Sequence, residues 1–383
     1  MATHLVQFFK DQLSRAIGLV FYNNGFMFGT WSAMIPVIKS RFGLNPAELG
    51  LLLLCLPLGT TIGNPLGAWI VKRYQASRVT PLLMAGSILL LSIPLLSSWL
   101  ALTIPGLLVA GMCMSATNIA MNTCSAHYEL TRQTLIMSVC HGMWSLGAMS
   151  GSALSGFVLG LGVRPAWVLG VIILVTLVNA RYIGGALLQL KQVTSPAHPA
   201  DRGFTWPNRY LWMLIIISMC VFLVEGTMVD WAGVYMKESV RAPAWIVGLG
   251  YGTYALFMAT GRLFGDLLIG RFGRRKMLSI GGMISAAGLV IAILFPYTAA
   301  VLFGFAIIGC GVATGAPILY SAASIPQESG LASMNMFAMV AFLAGPVVIG
   351  FIAEASSLSV AYGLVAGVSL VGAYYAHRVL TEA

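Results

Sequence analysis

The chain has 383 residues, 58% hydrophobic and only 8% charged, with a mean hydropathy of +0.89. Soluble domains carry roughly 25% charged residues, so this chain lacks the polar surface to face water all round. The apolar surplus has to face lipid. The net charge of +10 does not point to nucleic acid, because the basic residues fall in short loops between apolar runs and follow the positive-inside rule.

A membrane-crossing helix needs about 20 apolar residues. In chain order the spans are expected at 15–38, 46–71, 79–98, 100–125, 134–160 and 164–188, then at 210–236, 243–269, 277–296, 298–324, 331–354 and 358–378. The first is too long for a signal-peptide core of roughly 7–15 residues and is expected to remain. Leu190 to Arg209 is the only long polar stretch, with three prolines. The fold class is therefore an all-α integral membrane protein with twelve transmembrane helices in two pseudo-symmetric six-helix bundles. The expected domains are 1–188, a cytoplasmic linker at 189–209, and 210–383.

With an even number of spans both termini share one side. That side carries most of the Lys and Arg, among them Lys72, Arg73, Arg78, Arg271, Arg274 and Arg275, against Lys39, Arg41, Arg164, Lys237 and Arg241 opposite. Both termini are thus expected in the cytoplasm and the protein in the inner membrane. The halves repeat weakly. Trp31 in GTWSA corresponds to Trp231 in VDWAG, VKRY (71–74) to IGRF (269–272), and Gly151 and Gly156 to Gly345 and Gly350. Repeats of this kind place a solute site at the midplane between the halves.

Four acids lie at or within spans: Glu225, Asp230, Asp266 and Glu354. An ionisable group there is costly unless paired or hydrated. Glu225, near the middle of span 7, is the first candidate to carry a proton. Asp230 lies about 7.5 Å further along the helix and about 140° around it, and Gly226 offers a break that could bring the two together. His141, inside span 5, is a third candidate, with Trp144 on its face. His4, His127, His198 and His377 are expected in tails or loops. Arg262 and Asp266 stand four residues apart on span 8 and are expected to pair. Asn23, Asn24, Asn118, Asn122 and Asn335 supply amides for hydroxyl groups. Trp31, Trp144, Trp231, Tyr251, Tyr254 and Tyr320 supply aromatic faces. The amides serve equally as interhelical glue and the aromatics as interface belts.

The segment GRLFGDLLIGRFGRRK (261–276) ends on Arg271, Gly273, Arg274 and Arg275. It resembles the cytoplasmic loop signature of the major facilitator superfamily, which recurs between spans 2 and 3 and between spans 8 and 9. The first copy keeps Lys72, Arg73 and Arg78 without the glycine. Across nearly the whole chain, NIAMNTCSAHYE (118–129), HGMWSLGAMSG (141–151), EGTMVDWAGVY (225–235) and FLAGPVVIGFIAE (342–354) are similar to the fucose-permease-like branch of bacterial sugar permeases. The resemblance implies a permease for a small polar solute, plausibly a sugar or sugar derivative, driven by protons and acting as a monomer. It implies gating by the loop residues Arg271, Arg274 and Arg275, while the Arg262 and Asp266 pair reads from its place near the cytoplasmic end as structural or gating, with substrate contact the lesser alternative. In fucose permeases acids in spans 1 and 4 couple proton movement. Here Asn23, Asn24 and Asn118 stand in those spans, which moves the expected coupling to the second half.

An exporter of amphipathic metabolites or drugs stays open, given 20 methionines, as does a non-transporting sensor or lipid-handling protein on the same scaffold. No nucleophile elbow, nucleotide-binding glycine loop or metal-ligand spacing is present, so no enzyme activity, cofactor or metal is expected. The six cysteines read as small buried hydrophobes.

Overall fold

The computed structural model describes residues 8–190, 206–323 and 330–379. These are helical, joined by short turns. The first six spans are α1 (Gln12–Phe42), α2 (Pro46–Tyr74), α3 (Ala76–Leu96), α4 (Leu100–Arg132), α5 (Met137–Gly160) and α6 (Pro165–Leu187). The next is α7 (Arg209–Glu238). Span 8 is a short 3-10 turn (Ala244–Ile246) followed by α8 (Leu249–Leu263) and α9 (Gly265–Phe272). Then come α10 (Arg274–Leu294), α11 (Thr298–Val312), α12 (Gly315–Ala323), α13 (Gly330–Ala355) and α14 (Leu358–Val379). Among the described residues nine helical segments are long and apolar enough to cross a membrane on their own. Together with α1, α5 and the broken α8–α9 segment they make the twelve-span plan.

Local chemistry sets the helix ends. Asp11 caps α1, its Oδ2 accepting from the Ser14 N–H at 2.9 Å. Asn45 and Glu48 open α2 as a reciprocal capping box, at 2.8 and 2.9 Å. Asn208 caps α7 through the Leu211 N–H. Glu129, near the end of α4, accepts the Ile136 and Met137 N–H groups at 2.6 and 2.7 Å and so starts α5.

Three expectations need correction. The α4 helix continues to Arg132, which puts His127 inside it, and His377 lies in the last turn of α14. Loss of apolar character does not end a helix. A breaker does, and on α4 none intervenes before Gln133 at φ 50°. Spans 8 and 10, expected as single helices, are both interrupted, at Phe264 and at Ala313–Thr314. The two breaks meet. A Cβ at Gly261 would run into that of Ala313, and one at Gly265 would press on Thr314. Finally, α7 runs unbroken past Gly226, which lies against the Phe342 ring instead.

Packing divides the chain into two units. Residues 8–43 and 55–190 form one, and residues 44–54, 206–323 and 330–379 form the other. In the first, α1 packs on α5 and α6, α3 on α4 and α6, and α2 on α4. In the second, α7 packs on α13 and α14, α10 on α11 and α14, and α8 on α11. These are the same pairings six spans later. Residues 44–54 pack within the second unit, where Gly50 of α2 lies against the backbone of Pro346 and Gly350 on α13.

The α1–α5 contact is the closest in the first unit. A Cβ at Gly25 or Gly29 would strike the carbonyls of Trp144 or Ala148, and one at Gly147 or Gly151 those of Tyr22 or Phe26. Reciprocal small-xxx-small pairs let the two backbones touch. Tyr22 to Ser150 and Thr30 to Ser155, each at 2.9 Å, bond across the seam.

The repeat survives in backbone detail. α2 ends on Tyr74 and Gln75 takes φ 71°. α9 ends on Phe272 and Gly273 takes φ 80°. The first loop keeps the sharp reversal without the glycine that makes it inexpensive.

Candidate functional site

The second unit brings an acid and a base together within its spans. Glu225 stands midway along α7. Arg262 stands in the last turn of α8, where a cation also suits the helix C-terminus. Their side chains meet at 3.5 Å. Arg262 therefore pairs with Glu225 across to α7; the expected pairing with Asp266 lies on a side chain outside the described residues. The break at Phe264 removes the continuous turn that would stack residues 262 and 266. The Asp266 and Asn335 side chains fall outside what the structure describes.

The pair is only partly withdrawn, with 29% of the Arg262 and 15% of the Glu225 side chain exposed. At 3.5 Å it is an ion pair without a short hydrogen bond. Tyr251, Tyr254 and Tyr320 all lie within electrostatic range of both charges, and Tyr251 also of Asp230. Tyr251 and Tyr254 are buried, with ring centroids 5.9 Å apart. Tyr320, on α12, is more exposed and faces Phe222, at 6.4 Å. Among the described residues Arg262 Nε and Tyr254 Oη are buried with no hydrogen-bond partner. Asp230 is buried one and a half turns along α7, 9% exposed.

The first unit holds amides. Asn23 Nδ2 donates to the Leu19 carbonyl at 2.7 Å, and its Oδ1 accepts from Asn179 on α6 at 3.1 Å. Asn24 Nδ2 reaches Met121 on α4 at 3.5 Å. Both are interhelical ties. Asn122 donates to the carbonyl and to the side-chain oxygen of Asn118, one turn back, at 2.9 and 2.6 Å on the exposed side of α4. His141 packs edge-on against Phe21, with centroids 5.3 Å apart, and Trp144 packs against Phe28 at 5.5 Å. Both face α1, as their spacing implies.

Trp31 and Trp231 are among the largest fully buried side chains, 1% and 0% exposed. They fill helix packing and present no ring face. Among the loop basics, Arg275 meets His377 at 2.9 Å, Arg271 lies over the Phe272 ring, and Arg274 is exposed.

The sequence marks Glu225, Asp230, Tyr251, Tyr254, Arg262 and Tyr320 but not their grouping. Asn179 and Phe222 were missed. An amide two residues from Arg181 in the mostly apolar span 6 was the available signal for the first. Nothing in the sequence marks Phe222 among 18 phenylalanines.

Residues 16–325 match the Major Facilitator Superfamily. The chain belongs to this family. An uncharacterized MFS-type transporter of Yersinia pestis is 34% identical over 360 residues, covering 91% of each chain. Solved folds agree. A mutant of the nucleoside transporter NupG matches with a TM-score of 0.74 at 14% identity, covering 96% of this chain and 99% of that one. The D-xylose-proton symporter matches with a TM-score of 0.72 at 15% identity, covering 95% and 97%. A variant of the E. coli fucose:proton symporter FucP matches at 0.61 and 16%, covering 95% and 98%. At such identities these structures establish the shared fold. The chain is thus a multi-pass membrane protein of a transporter family, as the loop signature and the four span motifs implied.

Proposed function

We propose that the protein is a proton-coupled secondary transporter of a small polar solute, a sugar or sugar derivative, working by alternating access. The observation that carries this reading is the Glu225–Arg262 pair. A carboxylate is held midway along a membrane-crossing helix against a single guanidinium at 3.5 Å, beside Tyr251, Tyr254 and Tyr320. A carboxyl at that depth is retained only where paired or functional, and it can carry a proton from one side to the other. Asp230, close enough to Tyr251 to act on it, is a second proton stop. The first unit offers amides at Asn23, Asn24, Asn118 and Asn122, and the acid in those helices, Glu129, lies near the end of α4 and is taken up by the start of α5, which supports coupling through the second. The fold likeness to a xylose-proton and a fucose:proton symporter supports the solute class.

Glu225→Gln keeps size and hydrogen bonding while removing the titrating group. In proteoliposomes with an inward proton gradient it should abolish accumulation and leave counterflow exchange. Accumulation at the unmutated level would refute the assignment. We infer further that the protein lies in the inner membrane with both termini in the cytoplasm, from the basic bias of the loops. Single cysteines at Arg274 and Arg241 should be labelled by an impermeant maleimide from opposite sides of the membrane. Labelling from the same side overturns the orientation.

A further inference from the structure

The Arg262 corner of the second unit presents buried donors that no acceptor among the described residues takes up. The guanidinium presents five N–H donors in a planar fork. Its Nη2 is held loosely by Glu225 at 3.5 Å, while Nε, on the same edge of the fork, is buried with no partner among the described residues. Tyr254 is 1% exposed, and its hydroxyl is likewise without a partner there. That hydroxyl lies within electrostatic range of both Arg262 and Glu225. Each buried, unsatisfied donor is costly, and the edge formed by Nε and Nη2 is one on which a carboxylate docks with two parallel hydrogen bonds. Beside it, Tyr320 and Phe222 supply aromatic surface at the more exposed end of the cluster.

We propose that the solute carries a carboxylate, which takes Arg262 through its Nε–Nη2 edge and the Tyr254 hydroxyl, replacing Glu225 as the partner of the guanidinium. The solute is then an acid, such as a sugar acid or another hydroxylated carboxylic acid, rather than a neutral sugar. This rests on the proton-coupled reading above and gives it a mechanism. Two carboxylates beside one guanidinium repel unless one is neutral, so the acid and a proton on Glu225 enter together. Among the described residues the titratable groups within electrostatic range of Glu225 are Arg262, Tyr251 and Tyr254 on α8 and Tyr320 on α12. Arg262 is the only cation among them. One proton moving with one monocarboxylate carries no net charge, whereas a proton moving with a neutral sugar carries one.

The test uses the purified full chain and paired probes. Each pair is an acid and its neutral alcohol, such as glucuronate and glucose or 4-hydroxybenzoate and 4-hydroxybenzyl alcohol, with binding read by thermal shift titration. Some acids should bind and their alcohols should not. Arg262→Gln should weaken acid binding by roughly thirtyfold or more, the loss expected on truncating one side of a buried charge pair. Arg262→Lys keeps the charge without the fork and should fall between. Glu225→Gln, which mimics the protonated carboxyl, should bind acids at least as tightly as the unmutated chain. That last result cannot come from a variant that merely folds poorly. A panel in which no acid outbinds its alcohol overturns the proposal, as does acid preference that persists in Arg262→Gln.

The two readings fail separately. Glu225-dependent, proton-driven uptake of a neutral sugar with a measurable inward current sinks the carboxylate subsite and leaves proton coupling standing. Acid binding through Arg262 without any response of uptake to a proton gradient does the reverse.

Discussion

Removing Glu225 and Arg262 one at a time and together separates the worth of their pairing from the worth of each residue. At 3.5 Å and an effective dielectric near 20, the Coulomb attraction is about 5 kcal/mol. Exposure of 29% and 15% of the two side chains lets solvent screen it, which brings the net coupling to about 2–3 kcal/mol. Glu225→Gln strands a guanidinium that cannot shed its charge, and with 29% of its side chain exposed the cost falls below the roughly 3–5 kcal/mol of a fully buried charge. Arg262→Gln should cost less, since the carboxyl left behind can be neutralised by a proton. The double variant should recover about 2–3 kcal/mol of the summed losses. Reversible unfolding of the four proteins in detergent micelles measures all four corners of the cycle. Additivity within about 0.5 kcal/mol would refute the pairing and, with it, the reading of Arg262 as the counter-ion of Glu225.

Three further outcomes follow from the packing. Gly147→Val, which puts a branched side chain against the Tyr22 carbonyl, should destabilise the first unit by about 1–3 kcal/mol; Gly170→Ala, with open space around it, should be neutral or slightly stabilising in the same unfolding assay. Gln75→Gly relieves a side chain held at φ 71° and should raise stability by about 1 kcal/mol; an unchanged or lowered unfolding midpoint contradicts it. Tyr254→Phe removes a buried hydroxyl with no partner among the described residues, so the ligand-free protein should gain about 1 kcal/mol while acid binding weakens; a loss of ligand-free stability means that the hydroxyl is already satisfied.

The sequence by itself determined the membrane class, the twelve-span plan and the residues of the charged cluster. A charge fraction of 8% admits few alternatives, and a carboxyl or guanidinium inside an apolar run stands out because its desolvation is so costly. The repeat was legible too, from a Trp pair and two loop tetrapeptides that prove to sit in matching places, down to the backbone reversals at Gln75 and Gly273.

Partners were decided only by the tertiary structure. Glu225 and Arg262 stand 37 residues apart on different helices, and only the packing of α8 beside α7 brings them to 3.5 Å. The break at Phe264 was hidden, because Gly261 and Gly265 read as two of 43 glycines until Ala313 and Thr314 are seen pressed against them. Trp31 and Trp231 matched in the repeat and seemed fit to stack on a solute, but helix rotation turns both inward. Which face of a helix meets a neighbour depends on the other helices, and a uniformly apolar span carries almost no periodic signal to say so.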